Sequence, residues 1–243
     1  MSRPGSLHAE WTKLRTLPST WWLLTATVVL TAAVGTVAVS SSATRPDDPV
    51  RVSLTGVQLS QSLCLVLGAL SMGAEYGTGT IRTTLTAMPG RWRVLLSKAL
   101  ALSALTAAAG SLAVLSTLAL AHLTLPLPTN GTTLRAATGS IVILVLVTLL
   151  GLSLATLLRD TAGAITLGLG ILYVIPILSH LVNSPTWQHR LQRWTPMPAA
   201  LSIQATKNLE GLAIAPWPGL GVLTAYAMAF LAVAGAALRT RDA

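Results

Sequence analysis

The stretch AATGSIVILVLVTLLGLSLATLL, residues 136–158, contains no charged side chain. A helix of 23 residues rises about 35 Å at 1.5 Å per residue, enough to cross the roughly 30 Å hydrocarbon core of a bilayer. Only a helix or a closed barrel can bond all its backbone groups inside lipid, and the short alternating segments of a barrel do not occur here. The stretch therefore predicts a transmembrane helix.

Five further apolar runs of this kind flank it, separated by short polar breaks. Together they predict an all-α polytopic membrane protein in which residues 1–243 form a single transmembrane domain. The six predicted spans cover residues 21–39, 52–74, 94–121, 136–158, 162–181 and 219–238.

The composition supports this fold class. Of the 243 residues, 52% are hydrophobic and 9% are charged, and the mean hydropathy is +0.67, whereas soluble domains are about 25% charged. The net charge of +9 would suggest nucleic acid in a soluble chain, but the motifs that read base edges are absent. We therefore expect the lipid bilayer, and no nucleic acid, as a partner.

The basic residues also predict an orientation. With the amino terminus inside, the inner segments hold ten Lys and Arg residues and the outer segments hold six. The positive-inside rule then places both termini in the cytoplasm. The first apolar run is longer than the core of a signal peptide, so we expect it to be retained.

Within the spans the sequence offers little chemistry. No acidic or basic residue lies in the middle of a span, which disfavours a proton-coupled transporter. Nucleophile-elbow, paired-histidine and P-loop motifs are missing, so we expect no catalytic site, no metal and no cofactor bound by this chain. Cys64 is the single cysteine and suits packing. Small residues favour close helix packing over a polar path, and Pro176 predicts a kink in the fifth span.

Two peripheral helices are predicted outside the spans. Residues 1–20 place Leu7, Trp11 and Leu14 on one side of an interfacial helix, which serves as a lipid anchor or as a docking element for a cytoplasmic partner. Between the fifth and sixth spans, Trp187, Leu191 and Trp194 recur at helical spacing in an external segment over 182–218 that we expect to form a cap or a re-entrant structure. The polar residues assigned to amino-terminal docking are Glu10, Lys13 and Arg15.

The passage EYGTGTIRTTLTAMPGRWRVLLSKAL, residues 75–100, is the long polar break between the second and third spans. Gly77 and Gly79 let the chain leave the second span, and Thr80 begins a short amphipathic helix over 80–88. Pro89 and Gly90 end that helix. The basic residues that follow are predicted to form a collar whose charged heads reach the lipid headgroups of the inner leaflet: Arg91, Arg93 and Lys98.

Taken in order, these features resemble type-2 ATP-binding-cassette exporter permeases. The resemblance is carried by Glu75, Gly79-Thr80, the short apolar and basic helix, Pro89, the basic pair Arg91 and Arg93, and Lys98 at the next span. The opening AEWTKLRTLPSTWW is similar to that of actinobacterial members. Six spans with both termini inside agree with this family over nearly the whole chain.

The resemblance implies that helix 80–88 is a coupling helix that inserts into a separate ATPase subunit. That subunit would hold ATP and Mg and supply the missing P-loop, and a second permease chain, identical or different, would complete the translocation path. Drugs, lipids and peptides are among the cargoes of such exporters. A membrane-embedded enzyme, or a channel or interaction protein without ATP coupling, is the alternative. The residues implied to contact the ATPase are Glu75, Gly79, Thr80, Arg82, Thr83 and Thr86.

Overall fold

The computed structural model describes residues 5–41, 46–80, 91–124, 127–128, 130–181 and 184–240. Helices account for nearly all of these ranges, and no β-strand occurs within them. In chain order the α-helices are α1 Gly5–Thr16, α2 Pro18–Ser40, α3 Pro49–Ser53, α4 Gly56–Gly77, α5 Arg91–Thr124, α6 Gly131–Leu158, α7 Thr161–Leu169, α8 Ile175–His180, α9 Pro185–Trp194, α10 Pro196–Leu201 and α11 Pro216–Thr240.

Six segments of the described chain are long and apolar enough to cross a membrane, which confirms the predicted polytopic all-α fold. Each of them overlaps one predicted span and differs from it by a few residues at the ends. The observed segments are Pro18–Ser40, Pro49–Gly77, Trp92–Thr124, Gly131–Leu158, Thr161–Leu178 and Pro216–Thr240.

The apolar stretch that predicts the fold also forms its centre. Within α6, 72% of the most apolar window is buried, compared with 17% for the fifth span. The α6 helix contacts α4, α5 and α11. The first, third, fifth and sixth spans are less buried and expose large apolar side chains, as expected of helices that face lipid.

Glycine allows α4 and α6 to approach backbone to backbone. A methyl group at Gly68 would overlap the carbonyl oxygen of Thr148, and one at Gly151 would overlap that of Leu65. Since apolar surface gains little from leaving lipid, close van der Waals contact is what holds membrane helices together. The packing role predicted for the small residues is confirmed at these positions.

The fifth span departs from regular α-helix where the sequence predicts a kink. A π-helical turn, Gly170–Val174, joins α7 to α8 directly before Pro176. Proline has no backbone N–H for the carbonyl four residues earlier, so the helix adjusts its bonding in the preceding turn. The change therefore begins at Gly170, six residues before the proline itself.

The external segment folds back onto the bundle. The predicted helix around Trp187 is α9, and Trp187 and Trp194 are both exposed. The next helix, α10, packs on α11, and Ile203 beyond it is fully buried. Residues 196–205 therefore pack onto the bundle, as either the predicted cap or the predicted re-entrant structure would, and we call them the cap.

We expect Gly68→Ala to destabilise the protein, because the added methyl group would push α4 away from α6. Overpacking of this kind costs about 1–3 kcal/mol. The matched control is Gly221→Ala in α11, where a methyl group would meet no atom within 4 Å. Thermal unfolding in mild detergent compares the two variants, and equal midpoints would contradict the proposed contact.

Candidate functional site

Three side-chain pairs bring the ends of several helices together at one face of the bundle. Glu75, at the end of α4, meets Lys98, near the start of α5, in a salt bridge. Beside it, the guanidinium of Arg159 lies 5.8 Å from the ring centre of Tyr76. The guanidinium of Arg239, at the end of α11, lies 5.7 Å from the ring centre of Trp92. We call this the loop face, because α4 ends there and α5 begins there.

The Glu75 carboxylate is the centre of this face. Its Oε1 atom accepts hydrogen bonds from Lys98 Nζ at 2.8 Å and from Lys13 Nζ at 2.5 Å. Only 2% of the Glu75 side chain and 1% of the Lys98 side chain are exposed, whereas 44% of Lys13 is exposed. One buried carboxylate therefore ties α1, α4 and α5 together, and we call these three residues the charged trio.

The burial of Glu75 and Lys98 makes their pairing important for stability. Moving a charged group out of water costs several kcal/mol, and that cost is offset only when an opposite charge and hydrogen bonds replace the water. With two lysines and one glutamate, the trio has an excess of one positive charge. In the described part of the chain no group donates a hydrogen bond to Glu75 Oε2. Any movement that separated the carboxylate from Lys98 would leave buried charges without compensation.

Helix α4 ends two residues after Glu75. Helix α4 ends at Gly77, the Thr78 hydroxyl donates to the Ala74 carbonyl at 2.8 Å, and Gly79 has a φ of +71°. A left-handed φ costs glycine little because it has no Cβ. The break predicted at these glycines is confirmed, and it leaves Thr78, Gly79 and Thr80 exposed.

Only the first residues of the predicted coupling region lie among the described residues. Gly79 and Thr80 lie in the exposed turn that leads into it. Arg82, Thr83 and Thr86 lie outside the described residues, as does most of the predicted helix over 80–88. The helix and its contacts stay predictions.

Two residues occupy positions that differ from those expected. Lys98 was predicted to reach the headgroups with Arg91 and Arg93, but its ammonium group is buried and bonded to Glu75. Glu75 was predicted as a surface contact for an ATPase, but its carboxylate is directed into the bundle. Arg93 is exposed as predicted, and Arg91 is the first residue of α5.

A helical pattern could have revealed the position of Lys98. Val94 and Leu95 are buried on the core-facing side of α5, and Lys98 follows them by four and three residues. Side chains at these spacings share one face of a helix. Two turns into the span, Lys98 therefore has to face the core, where the acid at the end of the preceding helix is within reach.

The residues assigned to amino-terminal docking do not all have the expected surroundings. Lys13 joins the charged trio, Arg15 stays exposed, and Glu10 lies within α1. The Arg15 carbonyl accepts a hydrogen bond from Trp21 Nε1 at 2.7 Å, which joins α1 to the first turn of α2. Leu14 is buried in the main core, and α1 packs against α5. The amino-terminal helix is thus attached to the bundle at the charged trio.

A second polar cluster holds the cap at the opposite face. The Asp48 carboxylate accepts bonds from the Thr206 hydroxyl and the Thr206 N–H at 2.6 Å each, and from the N–H groups of Arg51 and Lys207 at 3.1 Å each. Partial burial raises the pKa of Asp48, but these four hydrogen bonds outweigh it and hold the pKa below the ordinary value of 3.8. Close by, Gln204 Nε2 donates to Ser140 Oγ at 3.0 Å.

The described residues contain no group of three His, Cys, Asp or Glu side chains that could hold a metal ion. Cys64 is buried, and His122 Nδ1 accepts a hydrogen bond from the Leu127 N–H at 3.3 Å.

No model of a known protein family matches the sequence, and no curated protein matches it either. The charged trio and the loop next to it are therefore the features on which a functional proposal rests.

We expect Lys98→Met to cost about 3 kcal/mol, because it removes the buried partner of a buried carboxylate. Lys13→Met removes a half-exposed partner of the same oxygen, so its cost should be about 0.5 kcal/mol. Adding Glu75→Gln to Lys98→Met should recover much of the loss, since no buried charge would remain uncompensated. Unfolding midpoints in detergent test this order, and equal losses for the two lysine variants would contradict it.

We expect the cap to weaken at low pH. Because the folded pKa of Asp48 lies below 3.8, its contribution is complete well above that value and is lost as the pH falls through the folded pKa. The contribution should be on the order of 1 kcal/mol, because Asp48 is only partly buried. The gap in unfolding midpoint between wild type and Asp48→Asn should therefore narrow from pH 6 to pH 3. Asp47→Asn, at an exposed neighbour, is the control, and a gap that stays constant would contradict the assignment.

Proposed function

We propose that this chain is the transmembrane permease subunit of an ATP-binding-cassette exporter. In this proposal a separate ATPase subunit holds ATP and Mg, and the chain moves cargo across a bacterial cytoplasmic membrane. The observation that carries the proposal is the position of the charged trio. It bonds the end of α4 to the start of α5, and the predicted contact with the ATPase lies between these two helices in the sequence.

The trio gives such a contact a mechanical consequence. A force applied to the loop would act on α4 and α5 together, because separating Glu75 from Lys98 would expose unpaired charges to a low-dielectric interior. The close approach of Gly68 and Gly151 would pass the displacement of α4 on to the central helix α6. Movement at the loop would then reach the middle of the bundle without a charged residue at membrane depth.

The proposal changes the role of two residues that the family resemblance implied as surface groups. Glu75 and Lys98 would anchor the loop from behind, and Lys13 would add the amino-terminal helix to the same anchor. The surface offered to the ATPase would consist of Gly79, Thr80, Arg82, Thr83 and Thr86. The loop face would be cytoplasmic, together with both termini.

Half of the usual twelve spans are present in the described chain, so two permease chains would pair around the path. The exposed apolar sides of the outer spans are compatible with such pairing as well as with lipid. Cargo would pass along a path made of small and apolar side chains. The polar side chains in the spans are mostly Ser and Thr, which are small as well.

The test is charge reversal at the loop. We expect Arg82→Glu to reduce ATP-dependent export in vesicles and co-purification of the ATPase at least fivefold, while insertion into the membrane stays normal. The matched control is Arg193→Glu, at an exposed residue of α9 on the opposite face, which should leave both readouts unchanged. Co-purification means recovery of a protein with a Walker A motif and vanadate-sensitive ATPase activity.

One result would overturn the assigned contact, and another would overturn the proposed function. Normal export and normal recovery of the ATPase with Arg82→Glu would remove Arg82 from the contact. Export that proceeds in vesicles without ATP, or the absence of any ATPase in the purified wild-type complex, would favour a channel or another protein that is not coupled to ATP.

A further inference from the structure

A groove between the start of α5 and the last turns of α11 is not used by the proposed coupling. Its volume is about 310 Å³, and it is lined by Trp92, Ala232, Gly235, Ala236, Arg239 and Thr240. The Trp92 ring lies directly against Gly235, where even a methyl group would overlap it. Glycine at this position therefore seats the indole and makes it one wall of the groove.

The lining changes from apolar to cationic along α11. Ala232 and Ala236 are small and exposed, and they border the part of the groove that lies deeper in the span. Arg239 is exposed in the last turn, beside the Trp92 ring. Eight residues separate Ala232 from Thr240, which corresponds to about 12 Å along a helix. An apolar wall thus leads to a cation at the depth where a span leaves the hydrocarbon.

The surrounding charges favour an anion at the cationic end. Arg15 and Arg93 are exposed at the same face, and the lining itself contains no acidic residue. Glu75, the acid at the centre of this face, is buried and bonded to two lysines. Asp160 is exposed at the start of α7, where its carboxylate accepts a hydrogen bond from the Gly163 N–H, and it does not line the groove. Lys and Arg side chains near an anionic bilayer surface are attracted to it.

We propose that this groove binds one anionic phospholipid. Its phosphate would lie against the Arg239 guanidinium, whose planar donors suit a phosphate group. One acyl chain would follow the wall formed by Trp92, Gly235, Ala236 and Ala232. Charge complementarity selects an anionic headgroup, and the change from cationic to apolar lining selects a lipid over a soluble phosphate. The site does not depend on the proposed transport function.

The first test measures retained lipid. The full chain is reconstituted in nanodiscs of phosphatidylcholine with one-fifth phosphatidylglycerol, extracted in mild detergent and examined by native mass spectrometry. Wild type should retain one phosphatidylglycerol, and Arg239→Gln should reduce its occupancy at least fivefold. Arg93→Gln removes the same charge from an exposed residue at the same face that does not line the groove, so it should retain the lipid. Soluble glycerol phosphate should not displace it.

A second variant tests the groove without changing charge. Ala236→Leu fills the apolar part and should lower occupancy, whereas Ala108→Leu, at an exposed position of α5 outside the groove, should not. Equal losses for the two arginine variants would mean that only the general charge of the face attracts lipid, and would overturn the proposal. A lipid-free dimer that Ala236→Leu dissociates would overturn it as well, because a second copy of the chain would then occupy the groove.

Discussion

A buried carboxylate shared by two lysines is the constraint on which the loop face depends. Glu75 is the last charged residue of α4, and its partners come from the amino-terminal helix and from the second turn of α5. In a low-dielectric environment a charge has to keep its partners, so the relative positions of these three helices are coupled. The apolar contacts around the trio are individually tolerant of small shifts, whereas the charges are not. The trio therefore fixes the relative positions of α1, α4 and α5, whereas van der Waals packing holds most of the remaining bundle.

That packing supplies the other half of the architecture. Glycines at the contact between α4 and α6 remove the side chains that would keep the two backbones apart. The long apolar stretch of α6 is therefore surrounded by α4, α5 and α11. Because α4 takes part both in the charged trio and in the glycine contact, it connects the loop face to the centre of the bundle. A protein that transmits force from a cytoplasmic partner needs such a connection, and the proposed coupling role uses it.

The two faces of the bundle are held by different chemistry. At the loop face, charged side chains pair with each other while largely shielded from water. At the opposite face, the half-buried Asp48 relies on backbone N–H groups and a hydroxyl of the external segment. The first arrangement resists separation because of desolvation, and the second depends on the ionisation of one carboxylate. The groove beside Trp92 adds a third kind of contact at the loop face, in which an exposed cation is next to an apolar wall.

The amino-acid sequence is enough to predict four features, because length, hydropathy and backbone chemistry act locally. These features are the six spans, the break at Gly77 and Gly79, the short helix around Trp187 and the disturbance near Pro176. The sequence placed Glu75 and Lys98 in one passage but assigned both to the surface, since charge in an apolar chain usually marks a boundary with water. The spacing of Val94, Leu95 and Lys98 places them on one face of α5, but the packed bundle is what shows that this face turns Lys98 toward Glu75. Their pairing depends on how α4 and α5 are rotated about their axes. That rotation follows from the packing of Val94, Leu95 and the glycine contacts, which no single segment specifies.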